Sequence, residues 1–244
     1  MIRWTLRAGP APAGKGGSLP AWLGPAERAH AARLLVPKRR ADFLLGRWAA
    51  KELLAGLLAG TEGPAPPRDA YEIVPGPRGA PLVLRPDGGR LPVGVSVSHS
   101  DGTAFCAAWS DPDDALAAGA DLERIEPRSE AFVRDFFTEA ETAAWEARAA
   151  GRPRDALATG LWSAKEAVLK ALRLGLTVDT RGIDCDLYPA VAPADDSLPG
   201  PEGDGWKRFT TRLAPATAGG DGNLAGFWRE KEGFVLTLAV RRPS

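Results

Sequence analysis

The sequence predicts an α+β fold of two similar subdomains, each with helices packed on a small, mainly antiparallel sheet. The chain has 244 residues, of which 44% are hydrophobic, and this is enough for one large core or two smaller ones. Helical periodicity followed by short, alternating apolar strands occurs twice along the chain. We therefore expect an N-terminal subdomain over 1–114 and a C-terminal subdomain over 115–244.

The first subdomain is predicted to begin with a strand and two helices, because proline at position 37 ends one helical pattern and precedes another. Two short strands and a hairpin turning at 100–102 follow. The predicted elements are a strand at 2–6, helices at 25–35 and 38–59, and strands at 71–74, 81–84, 93–98 and 103–109. A further strand at 115–122 follows a Pro/Asp turn, and we expect it to complete an antiparallel meander with the hairpin.

The second subdomain repeats the plan. Thr138 and Glu141 form a capping box at a helix start, and Gly175 is the expected stop of the last helix. The predicted elements are helices at 129–137, 138–150 and 153–175, and strands at 183–187, 206–213, 224–229 and 234–240.

Charge and cysteine content argue against non-specific nucleic-acid binding and against a cysteine metal site. Lys plus Arg equal Asp plus Glu at 31 each, so the chain lacks the positive excess on which non-specific nucleic-acid binding depends, and any anion site must be local. Cys106 and Cys185 lack metal-ligand spacing and are predicted to be small buried thiols in a reducing compartment. Neither a signal peptide nor an 18-residue apolar run is present, so we expect a cytoplasmic protein without a membrane partner.

The stretch Leu161–Lys170 reads as a helix with ionisable residues on an inner stripe. At 3.6 residues per turn, Trp162, Glu166 and Lys170 share one side. Two structural alternatives stay open: Glu166 and Lys170 as an exposed i,i+4 pair, and Ser163 with Glu166 as a capping box.

A second acidic site lies upstream in Gly119–Glu123. Side chains alternate along a strand, so Asp121 and Glu123 should project from one face, where their repulsion favours a bound cation. Hard cations such as Mg²⁺ take oxygen ligands and leave positions for a substrate phosphate. Asp121, Glu123 and Glu166 therefore form a candidate Mg²⁺ site, and Lys170 is placed to hold a phosphate.

A basic face is predicted on the helix at 38–59. Arg40, Arg47 and Lys51 fall within one narrow stripe, and Lys38 and Arg39 add charge at its start. Cations are disfavoured at a helix N-terminus, so Lys38 and Arg39 predict a bound anion at this end. The alternative is that the basic face is solvated. His99, directly after Ser98, sits where a strand ends, and is an ordinary turn residue unless other groups converge on it.

Three segments together resemble the signature motifs of the 4′-phosphopantetheinyl transferases: Val95–Ser100, Gly119–Glu123 and Leu161–Lys170. The length is similar to that of the large, monomeric, surfactin-type branch. The resemblance implies a pseudo-twofold fold with the active site at the interface of the subdomains. It also implies transfer of the 4′-phosphopantetheine arm of coenzyme A to a serine of an apo acyl or peptidyl carrier protein, releasing adenosine 3′,5′-bisphosphate. Mg²⁺ is the expected cofactor, with Mn²⁺ as the alternative.

The resemblance also implies residue roles. Asp121, Glu123 and Glu166 would hold the metal on the pyrophosphate, Lys170 would hold a phosphate oxygen, and Glu166 or a metal-bound water would take the serine proton. Coenzyme A phosphates would be bound by a set of polar and basic residues: Lys38, Arg39, Arg40, Arg47, Ser98 and His99, with Lys51 as a further contributor. Where the family often has a lysine before a proline, this chain has Ala80, and Arg78 is a candidate substitute.

Two other function classes stay open. A Mg²⁺-dependent phosphodiesterase or nuclease could use the same three carboxylates, but a wider basic surface would be expected. A silent coenzyme A or nucleotide-binding module would keep His99 and the basic helix while losing a metal ligand.

Overall fold

The structure of the chain is a computed structural model. The described residues are 2–59, 64, 66–76, 79–111, 113, 115–175, 178–190, 198–215, 217 and 224–242. They divide into two compact units, Ile2–Ala115 and Leu116–Ser244. Arg78, the candidate substitute for the family lysine, lies outside the described residues. Within those ranges none of the helices combines the length and apolar character needed to cross a bilayer.

The first unit packs one long helix on a three-stranded antiparallel sheet. Its elements are β1 (Arg3–Ala8), α1 (Pro25–Arg33), α2 (Pro37–Leu58), β2 (Glu72–Pro75), β3 (Pro81–Leu84), β4 (Val93–Ser100) and β5 (Thr103–Ser110). The sheet order is β1-β5-β4, and β2 and β3 form a separate antiparallel pair. Leu54 and Leu58 of α2 pack with Val93 and Val95 of β4, so the apolar stripe of the helix covers the sheet.

The second unit packs α5 on a five-stranded antiparallel sheet. Its elements are β6 (Ala117–Arg124), α3 (Glu130–Phe136), α4 (Glu139–Glu146), α5 (Arg152–Leu172), β7 (Ile183–Asp186), β8 (Lys207–Leu213), β9 (Leu224–Lys231) and β10 (Phe234–Arg241). The order is β6-β10-β9-β8-β7. Leu161, Val168 and Leu169 share a core with Trp228 and Val235. The predicted α+β class with antiparallel sheets is confirmed.

The predicted meander of three strands is wrong. The hairpin of β4 and β5 forms as expected, but β6 pairs with β10 over its full length, from Ala117 opposite Arg241 to Arg124 opposite Phe234. Both edges of β5 are already taken, by β1 on one side and β4 on the other, which leaves it no free ladder for β6. Alternation in the sequence predicted the strand but not its partner.

The two units share a plan at the level of the sheet. In each, the first strand of the unit pairs with the second strand of a hairpin, as β1 with β5 and β6 with β10. Both hairpins turn through two residues in the left-handed region, Asp101 and Gly102 (φ 46° and 70°) and Glu232 and Gly233 (φ 54° and 82°). Such turns match the twist of the flanking strands.

The units also share a sequence repeat. The segment WAAKE at 48–52 matches WSAKE at 162–166, each pair of residues lying 114 positions apart. Glu27 of α1 and Glu141 of α4 are separated by the same interval. The repeat predicted from the order of elements therefore extends to individual residues.

A buried lysine–glutamate pair occupies equivalent positions in both units. Lys51 Nζ lies 2.7 Å from Glu27 Oε2, and Lys165 Nζ lies 2.7 Å from Glu141 Oε2, with all four side chains at most 1% exposed. The other carboxylate oxygen accepts from a backbone N–H, of Ile73 in the first unit and of Cys185 in the second. Each ammonium also donates to backbone carbonyls, so these buried charges are paired and hydrogen-bonded.

Candidate active site

A close approach of β6 to α5 sets up the candidate site in the second unit. A Cβ atom at Gly119 would lie 2.0 Å from the carbonyl oxygen of Ala167, so only glycine permits this packing distance. The side chains of Asp121 and Glu123, two residues apart on β6, both reach residues of α5, as the alternation predicts. The strand and the helix therefore bring the predicted acidic residues together.

Asp121 is buried, and each of its carboxylate oxygens accepts a hydrogen bond from a polar side chain. Its Oδ1 accepts from Lys170 Nζ at 2.7 Å, and its Oδ2 accepts from the hydroxyl of Ser163 at 2.8 Å. The Ser163 hydroxyl is in turn 2.8 Å from that of Thr237 on β10. This chain of contacts fixes the carboxylate rotamer and balances its charge with an ammonium.

Glu123 is held by an indole and a guanidinium. Its Oε1 accepts from Trp162 Nε1 at 3.1 Å, and its Oε2 accepts from Arg128 at 2.9 Å. The Arg128 guanidinium also lies 5.1 Å from the centre of the Phe132 ring. Burial, followed by the charge of Asp121, raises the pKa of Glu123, while Arg128 acts in the opposite direction.

Glu166 has a strongly raised pKa. Burial, together with the negative charges of Asp121 and then Glu123, raises its pKa to about 7, although Lys170 opposes the shift. Among the described residues, its Oε1 is buried without a hydrogen-bond partner. A buried oxygen left without a partner is costly, and a cation or a substrate donor would relieve that cost.

The donor set fits a hard divalent cation in chemistry but is not arranged around one. Three carboxylates that repel one another and an orphaned Glu166 oxygen are what Mg²⁺ would satisfy. No three His, Cys, Asp or Glu side chains within the described ranges are grouped as metal ligands, however. One oxygen of Asp121 accepts from Lys170, and one oxygen of Glu123 accepts from Arg128. A metal would have to replace those protein cations.

The two structural alternatives for the central helix are also resolved. Ser163 lies in the middle of α5, which runs from Arg152 to Leu172, so it is not a helix cap. Lys170 donates to Asp121 Oδ1 and to the carbonyl of Ala120 at 3.0 Å, rather than standing on an exposed face with Glu166. Its side chain is 30% exposed.

The predicted basic stripe of α2 divides into exposed and buried residues. Lys38 and Arg39 are exposed in the first turn, and Arg40 is half-buried and donates to the carbonyl of Leu34. Arg47 is 16% exposed and lies 3.7 Å from Glu27, and burial lowers its pKa. The stripe therefore presents its charge at its N-terminal end.

The expectation that Lys51 contributes to phosphate binding is wrong. Its ammonium is fully buried, paired with Glu27, and hydrogen-bonded to the carbonyls of Arg68 and Tyr71. Burial lowers the pKa of Lys51, and the charge of Glu27 opposes that shift. The helical periodicity placed Lys51 on the basic stripe, but it could not show that Glu27 pairs with this lysine in the core.

Ser98 and His99 lie near the end of β4, where the alternation turns one side chain inwards and the other outwards. Ser98 is buried, and His99, opposite Ala104 of β5, is exposed. They belong to the first unit, together with Lys38 and Arg39, whereas the carboxylates belong to the second. The binding roles of these residues stay predictions.

Three residues of the acidic site were missed as site residues: Arg128, Ser163 and Thr237. Arg128 follows Glu123 by five residues in a loop, and a cation so close to a carboxylate pair was the available signal. Ser163 was considered only as a cap. Thr237 gave no local signal, because its contact with Ser163 depends on the pairing of β10 with β6.

Family comparisons agree with the motifs. Residues 117–217 match the model of the 4′-phosphopantetheinyl transferase superfamily, and residues 26–109 match that of the 4′-phosphopantetheinyl transferase N-terminal domain. The two matches together cover most of the chain, which therefore belongs to the 4′-phosphopantetheinyl transferase superfamily. Comparison with curated proteins returned no match.

Solved structures show only a distant likeness. The holo-[acyl-carrier-protein] synthase of Thermotoga maritima is 18% identical over 52% of this chain, with a TM-score of 0.37, and the match spans 64% of that protein's own length. The apo structure of the ACPS of Chronobacterium ammoniagenes is 21% identical over 52% of this chain and 96% of its own, with a TM-score of 0.38. A structure described as an ACPS–CoA complex from the same organism is 20% identical over 53% of this chain and 98% of its own, also with a TM-score of 0.38.

Proposed function

We propose that this protein transfers the 4′-phosphopantetheine arm of coenzyme A to a serine hydroxyl of an apo acyl or peptidyl carrier protein. Membership of the superfamily supports the reaction class. The observation that carries the proposal at the level of residues is Glu166, a carboxylate beside Asp121 and Glu123 with a pKa of about 7 and a buried, unpartnered oxygen. A group that gains or loses a proton near neutral pH suits proton transfer.

The reaction forms one bond and breaks one. The serine oxygen bonds to the β-phosphorus of coenzyme A, the P–O bond to the adenosine portion breaks, and adenosine 3′,5′-bisphosphate leaves. Glu166 would accept the serine proton, for which its raised pKa makes it a better base than an ordinary carboxylate. Lys170, partly exposed beside Asp121, would bind a phosphate oxygen as charge develops on the leaving group.

Asp121, Glu123 and Glu166 would hold Mg²⁺, or Mn²⁺, when it is present. The ion would supply Lewis-acid stabilisation of the pyrophosphate. Ser163 donates to one oxygen of Asp121, and Trp162 donates to one oxygen of Glu123. These hydrogen bonds would keep both carboxylates directed towards α5 when the metal binds.

Lys38, Arg39, Arg40 and His99 would recognise the phosphates of coenzyme A, with the 3′-phosphate as the target of the helix. Lys38 and Arg39 are exposed at the start of α2, where the backbone N–H groups of the first helical turn also favour an anion. His99 and Ser98 would add donors from the end of β4. We expect the protein to act as a monomer.

The proposal is tested by mass spectrometry of a carrier protein. Incubation of the protein with coenzyme A, Mg²⁺ and an apo carrier should add the mass of one phosphopantetheine arm to the carrier. The same mixture with Glu166→Gln is the control for the site. No mass gain on any of several acyl and peptidyl carriers, from a folded protein, would contradict the proposed activity.

A further inference from the structure

Arg128, in the loop between β6 and α3, is an ion-pair partner of Glu123 in the candidate site. Its guanidinium donates to Glu123 Oε2 at 2.9 Å, and the other oxygen of Glu123 accepts from Trp162. Both oxygens of this carboxylate are therefore hydrogen-bonded. Of the two donors only Arg128 is charged, because the indole is neutral.

The remaining contacts of Arg128 do not depend on Glu123. One guanidinium nitrogen lies 3.2 Å from Glu126 Oε1, and the guanidinium carbon lies 5.1 Å from the centre of the Phe132 ring. The Arg128 Nε is buried and has no hydrogen-bond partner among the described residues. The guanidinium therefore has one donor unsatisfied where it lies, and it keeps a carboxylate and a ring as partners if the contact with Glu123 is lost.

Arg128 and a divalent cation would compete for Glu123. Their charges have the same sign, and they would repel strongly across one shared carboxylate. The Arg128 side chain is 15% exposed, so water and salt screen this repulsion only in part. Because a guanidinium stays protonated at any ordinary pH, Arg128 cannot yield by losing a proton and must be displaced. Arg128 should therefore lower the affinity of the free protein for a metal.

The pyrophosphate of coenzyme A would change this balance. It brings negatively charged oxygens to the same ion, and Mg²⁺ and Mn²⁺ bind such oxygens together with protein carboxylates. A metal with both kinds of ligand displaces Arg128 more readily than a metal held by the protein alone. By linkage, coenzyme A and the metal then raise the affinity for each other by the same factor.

We propose that Arg128 is a positioning residue that makes metal binding depend on coenzyme A. In the free protein it occupies Glu123, and it leaves this carboxylate when the ion and the pyrophosphate are bound together. The inference rests on the proposed function, because it takes Asp121, Glu123 and Glu166 as the metal ligands.

The test measures the affinity for Mn²⁺, by electron paramagnetic resonance of the free ion, with and without saturating coenzyme A. The pH is kept well above the pKa of about 7 that Glu166 has, and a titration of coenzyme A alone corrects for the Mn²⁺ that it binds in solution. Arg128→Met removes the charge but keeps an apolar side chain against Phe132. Without coenzyme A, this variant should bind Mn²⁺ about tenfold more tightly than the native protein, because a charged competitor is lost. Coenzyme A should then raise its affinity by a smaller factor than it does in the native protein.

Two control variants separate the charge of Arg128 from a structural role. Arg128→Lys keeps a cation beside Glu123 and should remain close to the native affinity and the native coupling. Arg134→Ala removes an exposed arginine from α3 and should match the native protein. A folded Arg128→Met protein that binds Mn²⁺ no more tightly than the native protein would overturn the proposal. If Arg128→Met does not fold, Arg128→Gln takes its place in the same titration, with the same expected gain and the same contrary outcome.

The two conditions also distinguish this proposal from the metal site on which it depends. If the native protein binds Mn²⁺ and the folded Arg128 variant shows no gain, the role of Arg128 is refuted and the metal site stands. If neither protein binds Mn²⁺ with or without coenzyme A, the metal site itself is refuted, and the role of Arg128 with it.

Discussion

Lys170 donates a 2.7 Å hydrogen bond to Asp121, and so the two residues predicted to hold a phosphate and a metal neutralise each other. The pairing does not remove the repulsion between the carboxylates, because the charge of Asp121 still raises the pKa of Glu166 by more than Lys170 lowers it. A bound cation would compete with Lys170 for Asp121. Once Lys170 is released from Asp121, its ammonium would be available to bind a substrate phosphate.

The first prediction concerns the carboxylates. Asp121→Ala and Glu166→Gln should each lower the transfer rate by at least about 100-fold, because a proton-transfer group or a charge-stabilising group contributes on that order. Glu139→Gln, exposed at the start of α4, is the matched control and should behave like the native protein. Rates are measured with saturating Mg²⁺, and near-native turnover by a folded variant would exclude the site.

Lys170 is the subject of the second prediction. Lys170→Ala should reduce the rate strongly, and Lys170→Arg should restore little of it, since a planar guanidinium does not replace a compact ammonium beside Asp121. Lys231→Ala, which removes a half-exposed lysine from the end of β9, is the control. If Lys170→Ala lowered only the thermal stability, Lys170 would be a structural partner of Asp121 and nothing more.

The third prediction follows from the pKa of Glu166. Its folded-state pKa of about 7 lies above the ordinary 4.5, so its protonated form stabilises the fold at low pH. That contribution should be lost as the pH rises from about 4.5 through 7. Metal-free protein is unfolded with urea at several pH values. The free energy of unfolding of the native protein, relative to that of Glu166→Gln, should fall across this range; a constant difference would contradict the assigned pKa.

The buried lysine–glutamate pairs give the fourth prediction. Lys165→Met should lower the free energy of unfolding by about 3 to 5 kcal/mol, because it leaves Glu141 buried without its partner. Lys51→Met should have a similar cost through Glu27, since the two sites are equivalent. Adding Glu141→Gln to Lys165→Met should recover part of the loss. Urea unfolding of these variants measures the change in the free energy of unfolding. A loss below about 1 kcal/mol for both lysine variants would show that the pairs do not stabilise the fold.

How much the sequence predicted depends on how local the signal was. The apolar stripe of the helix with Trp162 and Glu166 was predicted well, because it is a local feature. The expected stop at Gly175 was wrong: α5 ends at Leu172, and Arg173 follows in the left-handed conformation. The partner of β6 was not predictable, because alternation does not specify which edge a strand joins. The burial of Lys51 was missed for the same reason, since Glu27 comes from another helix.

The repeat of WAAKE and WSAKE was readable from the sequence, but its interval exceeds the short periods that are usually searched. Once the two segments are aligned, Arg7 and Gly9 stand where the second unit has Asp121 and Glu123. The hydrogen bonds from Arg128 to Glu123 and from Ser163 to Asp121 could be found only in the structure. A sequence pattern does not specify which side chains of different segments come into contact.

The last prediction concerns the exposed cations at the start of α2. If Lys38 and Arg39 bind the 3′-phosphate together with Arg40 and His99, 3′-dephospho-coenzyme A lacks their target. Each charge-assisted hydrogen bond is worth roughly 1.5 to 3 kcal/mol, so the loss of one or two should weaken binding by about ten- to several-hundred-fold. Calorimetry of both ligands at one salt concentration measures this ratio.

A double variant, Lys38→Ala with Arg39→Ala, should bring the two affinities closer, because a protein without the contacts cannot distinguish the ligands. Lys15→Ala removes an exposed lysine elsewhere in the same unit and should keep the native ratio. Equal affinities for the two ligands in the native protein would mean that these cations are a solvated surface. Their place at a helix N-terminus, where positive charge is unfavourable by about 0.3 to 1 kcal/mol each, would then have no ligand to offset it.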